Sequence, residues 1–489
     1  MPNRRASKRR SNQETNDEAA ALTARDAALS VVLAVFDQGR FADDALDEIL
    51  TAGGSKRAGV RADMPAPAPL SQRDRAFVRR LTATVFRRCG EIDAAYAPYL
   101  AQSPPPAPLQ ALLRLGAAEL IFLRTPAYAA VGTWVSVARG SRATERFAKA
   151  TNAILRRVSE RTPAPLSGKD AVSANIPAWL RDRWEARFGA AALTTLGEAV
   201  LRDAPLDLGV RSEPEAWAAR LDGRVLPMGH VRLTGAGRPV KELAGFRSGA
   251  WWVQDIAAGL AARALGDVQG TEVLDLCAAP GGKTAALAAR GAQVTAVDAS
   301  AKRLKRLREN MDRLALQPTI IEADLLTWEP QRRFEAILLD APCTATGTIR
   351  RHPDLMHLRR ETDLADRARL QETLLRRSLS WLEPGGRLVY AVCSLEAEEG
   401  PKLIARLVAE NAVTLLPIEA ADIGGLASLI APEGWVQTRP DLSPFTGEVP
   451  KVGAAAAAEG EAGGAEGGMD GFFVAKLGVP SLKPASKST

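Results

Sequence analysis

From Trp251 onward, short runs of wholly apolar residues alternate with amphipathic stretches, and this alternation constrains the fold more than any other feature of the chain. TEVLDLC, QVTAVDAS, TIIEADLL, FEAILLDAPC and GRLVYAVCS read as strands. KTAALAARG, AKRLKRLRENMDRLA and a long stretch around Leu370 to Trp381 read as helices between them. Strands that are apolar on both faces must be covered on both faces, which predicts a doubly wound, mostly parallel sheet in an α/β domain. Sheets of this kind place their ligand sites at the carboxyl ends of the strands. At 489 residues the chain is too long for one compact domain.

The region from about Arg25 to Arg161 carries a helical period instead. Phe77, Leu81 and Val85 form one apolar stripe, and Leu112, Leu115, Leu120 and Leu123 form another. Ala52 to Pro67 reads as a loop inserted between helices, because Gly and Pro punctuate it without periodicity. A small mixed α/β module follows. It opens with a helix that places Trp179, Leu180, Trp184 and Phe188 on one face, and it carries no chemistry of its own. The expected division is a basic disordered arm at 1–20, an all-α domain at 21–165, the small α/β module at 170–248 and the doubly wound domain at 249–478. An Ala/Gly/Glu-rich segment at 451–468 reads as a flexible insertion and 479–489 as a disordered tail.

Composition excludes several classes. Four cysteines (Cys89, Cys277, Cys343, Cys393) with no CxxC pair rule out a disulfide framework or a cysteine-rich zinc module, and three histidines leave little for any other metal. The basic N-terminal residues are followed by no apolar stretch, and no run of eighteen apolar residues exists. A cytoplasmic protein with no metal and no membrane partner is expected. The excess of 64 Lys+Arg over 57 Asp+Glu, a net +7, points weakly to a polyanionic partner.

LDLCAAPGGKT (Leu274–Thr284) is a strand, a tight loop and a helix start. It is not a P-loop, since Cys277 stands where the first glycine is needed, and GxGxxG is absent. Pro280-Gly281-Gly282 permits close backbone approach of a ligand. Asp298, Asp324 and Asp340 end the following strands. Three acids at successive strand ends suit an adenosine-bearing ligand without a pyrophosphate, and a class I S-adenosylmethionine site fits best.

Cys343 follows one such strand (LLDAPCTATGTIRRHPD) and Cys393 ends another (VYAVCSLEAEE). One buried thiol is ordinarily inert core, but two at the mouths of site-forming strands suggest chemistry. Methylation at carbon 5 of a pyrimidine requires it. That carbon becomes nucleophilic only after a thiolate adds at carbon 6. Asp340, kept protonated by burial, is expected to supply the hydrogen bond at ring nitrogen 3 and to favour cytosine over uracil. Spacing alone leaves open which cysteine attacks.

LDLCAAPGGKT, DAPCTATGTIRRHPD, VYAVCSLEAEE, DGFFVAKL and WWVQDIAAGL together resemble the RsmB/Fmu-type RNA cytosine carbon-5 methyltransferases. RDRAFVRRLTATVFRR (Arg73–Arg88) and TNAILRRV resemble NusB-type helical domains, which precede the catalytic domain in that subgroup. The resemblance implies a Rossmann-like catalytic domain with Cys393 as nucleophile, Cys343 aiding product release and Asp340 contacting the cytosine. It also implies a cofactor site built from Cys277, Ala278, Ala279, Pro280, Gly281, Gly282, Lys283, Asp298, Asp324 and Asp340. Two departures from the family pattern, Thr344 and Val392, remove no reacting atom.

Arg350, Arg351 and His352 follow the Cys343 loop and are expected near phosphates flanking a flipped base, with Arg350 and Arg351 as the RNA contacts. Lys302, Arg303, Lys305, Arg306 and Arg308 read as a solvated helix face. The expected protein is a monomer acting on RNA, with 16S ribosomal RNA the substrate that the resemblance implies and S-adenosylmethionine the cofactor. The competing class is a non-catalytic NusB-like RNA-binding factor for ribosome assembly or antitermination. Four intact features, Cys343, Cys393, Asp340 and PGGK, argue against it.

Overall fold

The structure is a computed structural model that describes residues 23–51, 70–101, 104–234, 239–443 and 468–480. The basic arm, the whole of the 52–67 loop and nearly all of the 451–468 segment and of the tail therefore lie outside the described residues. The chain divides into two compact units. One comprises residues 1–182 with 352–360, and the other comprises 183–351 with 361–489.

The first unit is all helical. Its central helix, Ala107–Ile121, has twelve of its fifteen residues buried, which marks it as surrounded by other helices rather than lying on a surface. The helix Gln72–Arg87 starts at Ser71, whose hydroxyl and backbone exchange hydrogen bonds with Asp74 in a capping box. Leu81 and Val85 of the expected stripe are fully buried, and Phe77 is partly so. Leu123 falls beyond the end of the central helix and packs only partly. A charged cluster locks the core: Glu119, inaccessible to solvent, accepts from Arg25, Trp134 Nε1 (2.6 Å) and Thr125 Oγ1 (3.0 Å). Such a carboxylate is tolerated in a core only because its oxygens are satisfied.

Residues 352–360 belong to this helical unit although the chain reaches them after the Cys343 loop. Asp354 accepts from the Ala42 backbone amide at 2.9 Å. His357 lies 4.8 Å from the Phe36 ring, and its Nε2 meets the Phe86 carbonyl at 2.7 Å. Burial lowers the His357 pKa to about 4, so the ring is neutral. The simple order of domains expected from the sequence is thus interrupted here.

The second unit contains two sheets. The strands β1 (Asp207–Val210), β2 (Gly223–Val225), β3 (His230–Leu233) and β4 (Trp251–Val253) form a small antiparallel sheet in the order β2-β3-β1-β4. This small sheet and the large sheet lie in one compact unit, while residues 170–182 of the expected small module fall in the helical unit. The large sheet contains β5 (Glu272–Leu276), β6 (Gln293–Asp298), β7 (Thr319–Glu322), β8 (Phe334–Asp340), β9 (Leu382–Val392), β10 (Thr414–Leu416), β11 (Val436–Gln437) and β12 (Phe473–Gly478). Its order is β10-β12-β9-β8-β5-β6-β7, with β11 on β12. The strands β7, β6, β5, β8 and β9 are mutually parallel, and β12 runs antiparallel beside β9. Strand order reverses between β5 and β8, which is the switch point where doubly wound folds open a ligand crevice.

Candidate active site

The expected residues do gather at the carboxyl ends of the parallel strands. Cys277 follows β5 with a φ of 58°, Asp298 ends β6, Asp324 follows β7, Asp340 ends β8 and Cys393 follows β9. Together with Cys343 they line one cavity of about 520 Å³. The apolar walls come from Leu325, Leu326, Pro342, Leu370 and Leu374, none of which the sequence singles out. A lining that combines strand-end acids with leucine and proline side chains suits the ribose and the base of a nucleoside.

Asp298 is pinned before any ligand arrives. Its Oδ2 accepts from the Ala279 amide at 3.1 Å and its Oδ1 from the Ser300 amide at 2.9 Å. Each carboxylate oxygen has two lone pairs, so Oδ1 keeps an acceptor site for a ribose hydroxyl while Oδ2 also faces Arg303. Ala278, Ala279, Pro280, Gly281, Gly282 and Lys283, all expected in the cofactor site, are not among the residues that line the cavity. The first five form the loop that fixes Asp298. Gly281 has a φ of 100°, and a Cβ there would meet Leu307 Cγ at 2.9 Å, so the position takes glycine for both reasons. Arg303 corrects another expectation. It lines the cavity, donates to the Ala279 carbonyl and lies 3.5 Å from Asp298 Oδ2, rather than serving only as a solvated face. Its signal in the sequence was its place in the first turn after the Ser300 cap.

Lys283 reaches away from the loop to Asp340, with Nζ donating to Oδ2 at 2.7 Å and lying 5.1 Å from the Phe472 ring centroid. Burial opposes its charge, but the Asp340 carboxylate outweighs that penalty and raises its pKa. Asp340 accepts a proton-bearing nitrogen here, which disagrees with the expectation that it is the protonated donor. Beneath them Asp275 is buried, accepts from Thr284 Oγ1 at 2.6 Å, and is pushed up to about 7 by burial.

The two thiols meet. Cys343 Sγ lies 3.4 Å from Cys393 Sγ. Cys343 is buried, and its pKa stands well above the ordinary thiol value because of the hydrogen bond with Cys393 and then burial. Cys393 is half-buried. Their loops are also joined by backbone: Gly347 N donates to the Cys393 carbonyl at 3.1 Å, and Gly471 N to the Gly347 carbonyl at 2.8 Å. A Cβ on Gly347 would sit 1.9 Å from the Gly471 carbonyl oxygen, so only glycine allows this crossing.

Arg350 departs from its expected role. Its guanidinium is buried and held by Asp470 (Nε to Oδ1, 2.8 Å) and by Asp255, so it braces the Cys343 loop from within. Asp255 also accepts from the Asp470 amide at 3.0 Å. Arg351 donates to Asp470 Oδ2 at 2.6 Å but keeps a third of its side chain exposed.

Residues 262–478 match the family described as 16S rRNA methyltransferase RsmB/F, and residues 22–160 match the NusB family. A ribosomal RNA small subunit methyltransferase B from Xanthomonas campestris pv. campestris is 38% identical over 400 residues, covering 78% of this chain and 86% of its own. Its counterpart from Pseudomonas putida is 34% identical over 453 residues, covering 86% and 95%. The chain belongs to the RsmB/F family of S-adenosylmethionine-dependent 16S rRNA methyltransferases. Solved structures agree on the fold. PH0851 matches with a TM-score of 0.69 at 20% identity over 93% of this chain and 98% of its own. NSun6 from Pyrococcus horikoshii, solved with SFG, matches at 0.51 and 17% identity over 62% and 98%. Among the described residues of this RsmB/F chain, no helix is long and apolar enough to cross a membrane.

Proposed function

We propose that this family member transfers a methyl group to carbon 5 of a cytosine in 16S ribosomal RNA, through a covalent bond between Cys393 and carbon 6. The observation that carries this reading is the meeting of two thiols 3.4 Å apart in the wall of the cavity that holds the strand-end acids. Transfer to a ring nitrogen or a hydroxyl needs no thiol, whereas an unactivated pyrimidine carbon does. S-adenosylmethionine, held by Asp298, Asp324 and the apolar walls, supplies the electrophilic methyl group.

The environments of the two cysteines support dividing their roles. Cys343, with its raised pKa, keeps its proton at neutral pH and is poorly suited to attack. Cys393, the more accessible sulfur, adds to carbon 6. At the end of the reaction the carbon-5 proton passes to water as the Cys393–carbon 6 bond breaks, and the Cys343 thiol donates a hydrogen bond to the departing Cys393 thiolate. Lys283 takes the role expected of Asp340, donating to ring nitrogen 3 as charge develops there, while Asp340 accepts from the exocyclic amine. This donor–acceptor pair complements the edge of cytosine. Arg351 remains the candidate phosphate contact.

RNA containing 5-fluorocytosine tests the assignment, because fluorine at carbon 5 blocks the final elimination. The expected outcome is a covalent complex with the wild-type chain and with Cys343→Ala, and none with Cys393→Ala. The reverse pattern overturns the nucleophile assignment. Bisulfite mapping of 16S rRNA from a deletion strain then locates the target.

A further inference from the structure

Outside the set of cavity-lining residues, a single buried carboxylate gathers the loops of both cysteines. Glu399 has no solvent-accessible surface. Its Oε1 accepts from the Thr344 amide at 2.9 Å and from Gln371 Nε2 at 2.9 Å. Its Oε2 accepts from the hydroxyls of Thr344 and Ser394. Thr344 follows Cys343, and Ser394 follows Cys393. Gln371 adds a further tie, donating to the Pro342 carbonyl at 3.0 Å, and Tyr390 donates its hydroxyl to the Glu399 carbonyl at 2.6 Å.

We infer that Glu399 is a positioning residue for methyl transfer, fixing the separation of the Cys343 and Cys393 sulfurs by holding both cysteine loops from one carboxylate. The inference rests on the reading that both thiols act on one base. Four donors reach the carboxylate, two on each oxygen, which leaves no spare acceptor site on it. It touches neither sulfur's substrate side and acts through its neighbours. A buried acid with every site filled by neutral donors is a costly way to satisfy ordinary loop polarity. Its geometric effect is specific: Oε2 is a common acceptor for the hydroxyls of Thr344 and Ser394, which lie 3.3 Å apart. The negative charge also lies close enough to contribute to the raised pKa of Cys343.

The separation of the sulfurs can be read directly, without RNA. Full-length wild type, Glu399→Gln and Ser394→Ala are equilibrated with fixed ratios of reduced and oxidised glutathione, then quenched by alkylation. Two protein thiols and one glutathione disulfide give the Cys343–Cys393 disulfide and two glutathione thiols, so electrons and protons balance. The equilibrium constant reports the effective concentration of one thiol at the other. Glu399→Gln keeps the volume but turns one acceptor into a donor; Ser394→Ala removes the tie of the Cys393 loop to Glu399 together with the Ser394 contacts to Thr344 and Thr346. Each variant should lower the effective thiol concentration by about tenfold or more and slow single-turnover methyl transfer by a similar factor. The KM for S-adenosylmethionine should stay within about twofold. Unchanged thiol equilibrium in Glu399→Gln overturns the inference, as does loss of cofactor binding in step with activity. If wild type forms the disulfide readily but leaves carbon 5 of cytosine unmethylated, the proposed function fails while the thiol equilibrium still decides the role of Glu399.

Discussion

Lys283 and Asp275 show how far single side chains carry the chemistry of this site. Lys283 stands in a loop that looks built for phosphate, yet its ammonium serves Asp340, 57 residues away. Lys283→Ala should cut methyl transfer about 10²-fold or more while leaving S-adenosylmethionine affinity within a few-fold. Single-turnover kinetics paired with calorimetric titration of the cofactor checks this, and equal losses in both would place Lys283 in cofactor binding instead. Asp275 offers a pH test. Its folded pKa of about 7 lies above the ordinary 3.8, so the folded chain binds a proton more tightly than the unfolded one. Stability from this group is therefore fully present below about pH 4 and declines as pH rises towards 7. Asp275→Asn abolishes that titration, so the variant should gain on wild type by a few kcal/mol at most between pH 5 and pH 7.5, at ~1.4 kcal/mol per pH unit. Urea unfolding at the two pH values measures the gap, and a gap independent of pH refutes the assignment.

At the scale of elements, the strand ends were legible because the chemistry there is local. Asp298, Asp324 and Asp340 stand beside the apolar runs that become strands, and the parallel sheet aligns those ends without further information. What supports them was not legible, because each support joins distant parts of the chain. Arg350 looked free for RNA, since nothing in the sequence near it announces Asp255, 95 residues earlier, or Asp470, 120 residues later. Arg303 looked solvated because helix periodicity reports the buried stripe of Leu304 and Leu307 and is silent about what a first-turn side chain reaches. The apolar walls of the cavity were likewise indistinguishable from core leucines. The Arg350 brace predicts a structural rather than a binding phenotype. Asp470→Asn should destabilise the catalytic unit by about 2–4 kcal/mol, because it leaves two guanidinium groups with one charge partner fewer. Denaturant unfolding tests this, and a variant of wild-type stability with weakened RNA binding would restore the expectation made from sequence.

At the scale of the whole molecule, the helical period of residues 25–161 and the strand–helix alternation after Trp251 correctly separated an all-α part from an α/β part. The assignment of 352–360 to the helical unit was hidden, since PDLMHL carries no feature that distinguishes it from a loop of the catalytic sheet. Its contacts show why it belongs: Leu358 packs against the helical core, and Arg359 lies 5.2 Å from the Phe41 ring centroid. A fragment of residues 1–182 should therefore be incomplete. Adding a peptide of residues 352–360 in trans should raise its melting temperature by several degrees, since even ~1 kcal/mol moves a domain of this size by that much. No shift at saturating peptide would show that the segment contributes nothing to the unit.

The discontinuity has a consequence for birth on the ribosome. Nascent domains generally fold from the N-terminus as they emerge, but this helical unit lacks its last piece until residue 360 has been made. At ordinary elongation rates the stretch from residue 182 to residue 360 takes roughly ten to thirty seconds. During that time the Phe36 and Phe86 rings have no His357 to cover them. The polypeptide thus spends part of its synthesis with an apolar gap that its own later residues will close.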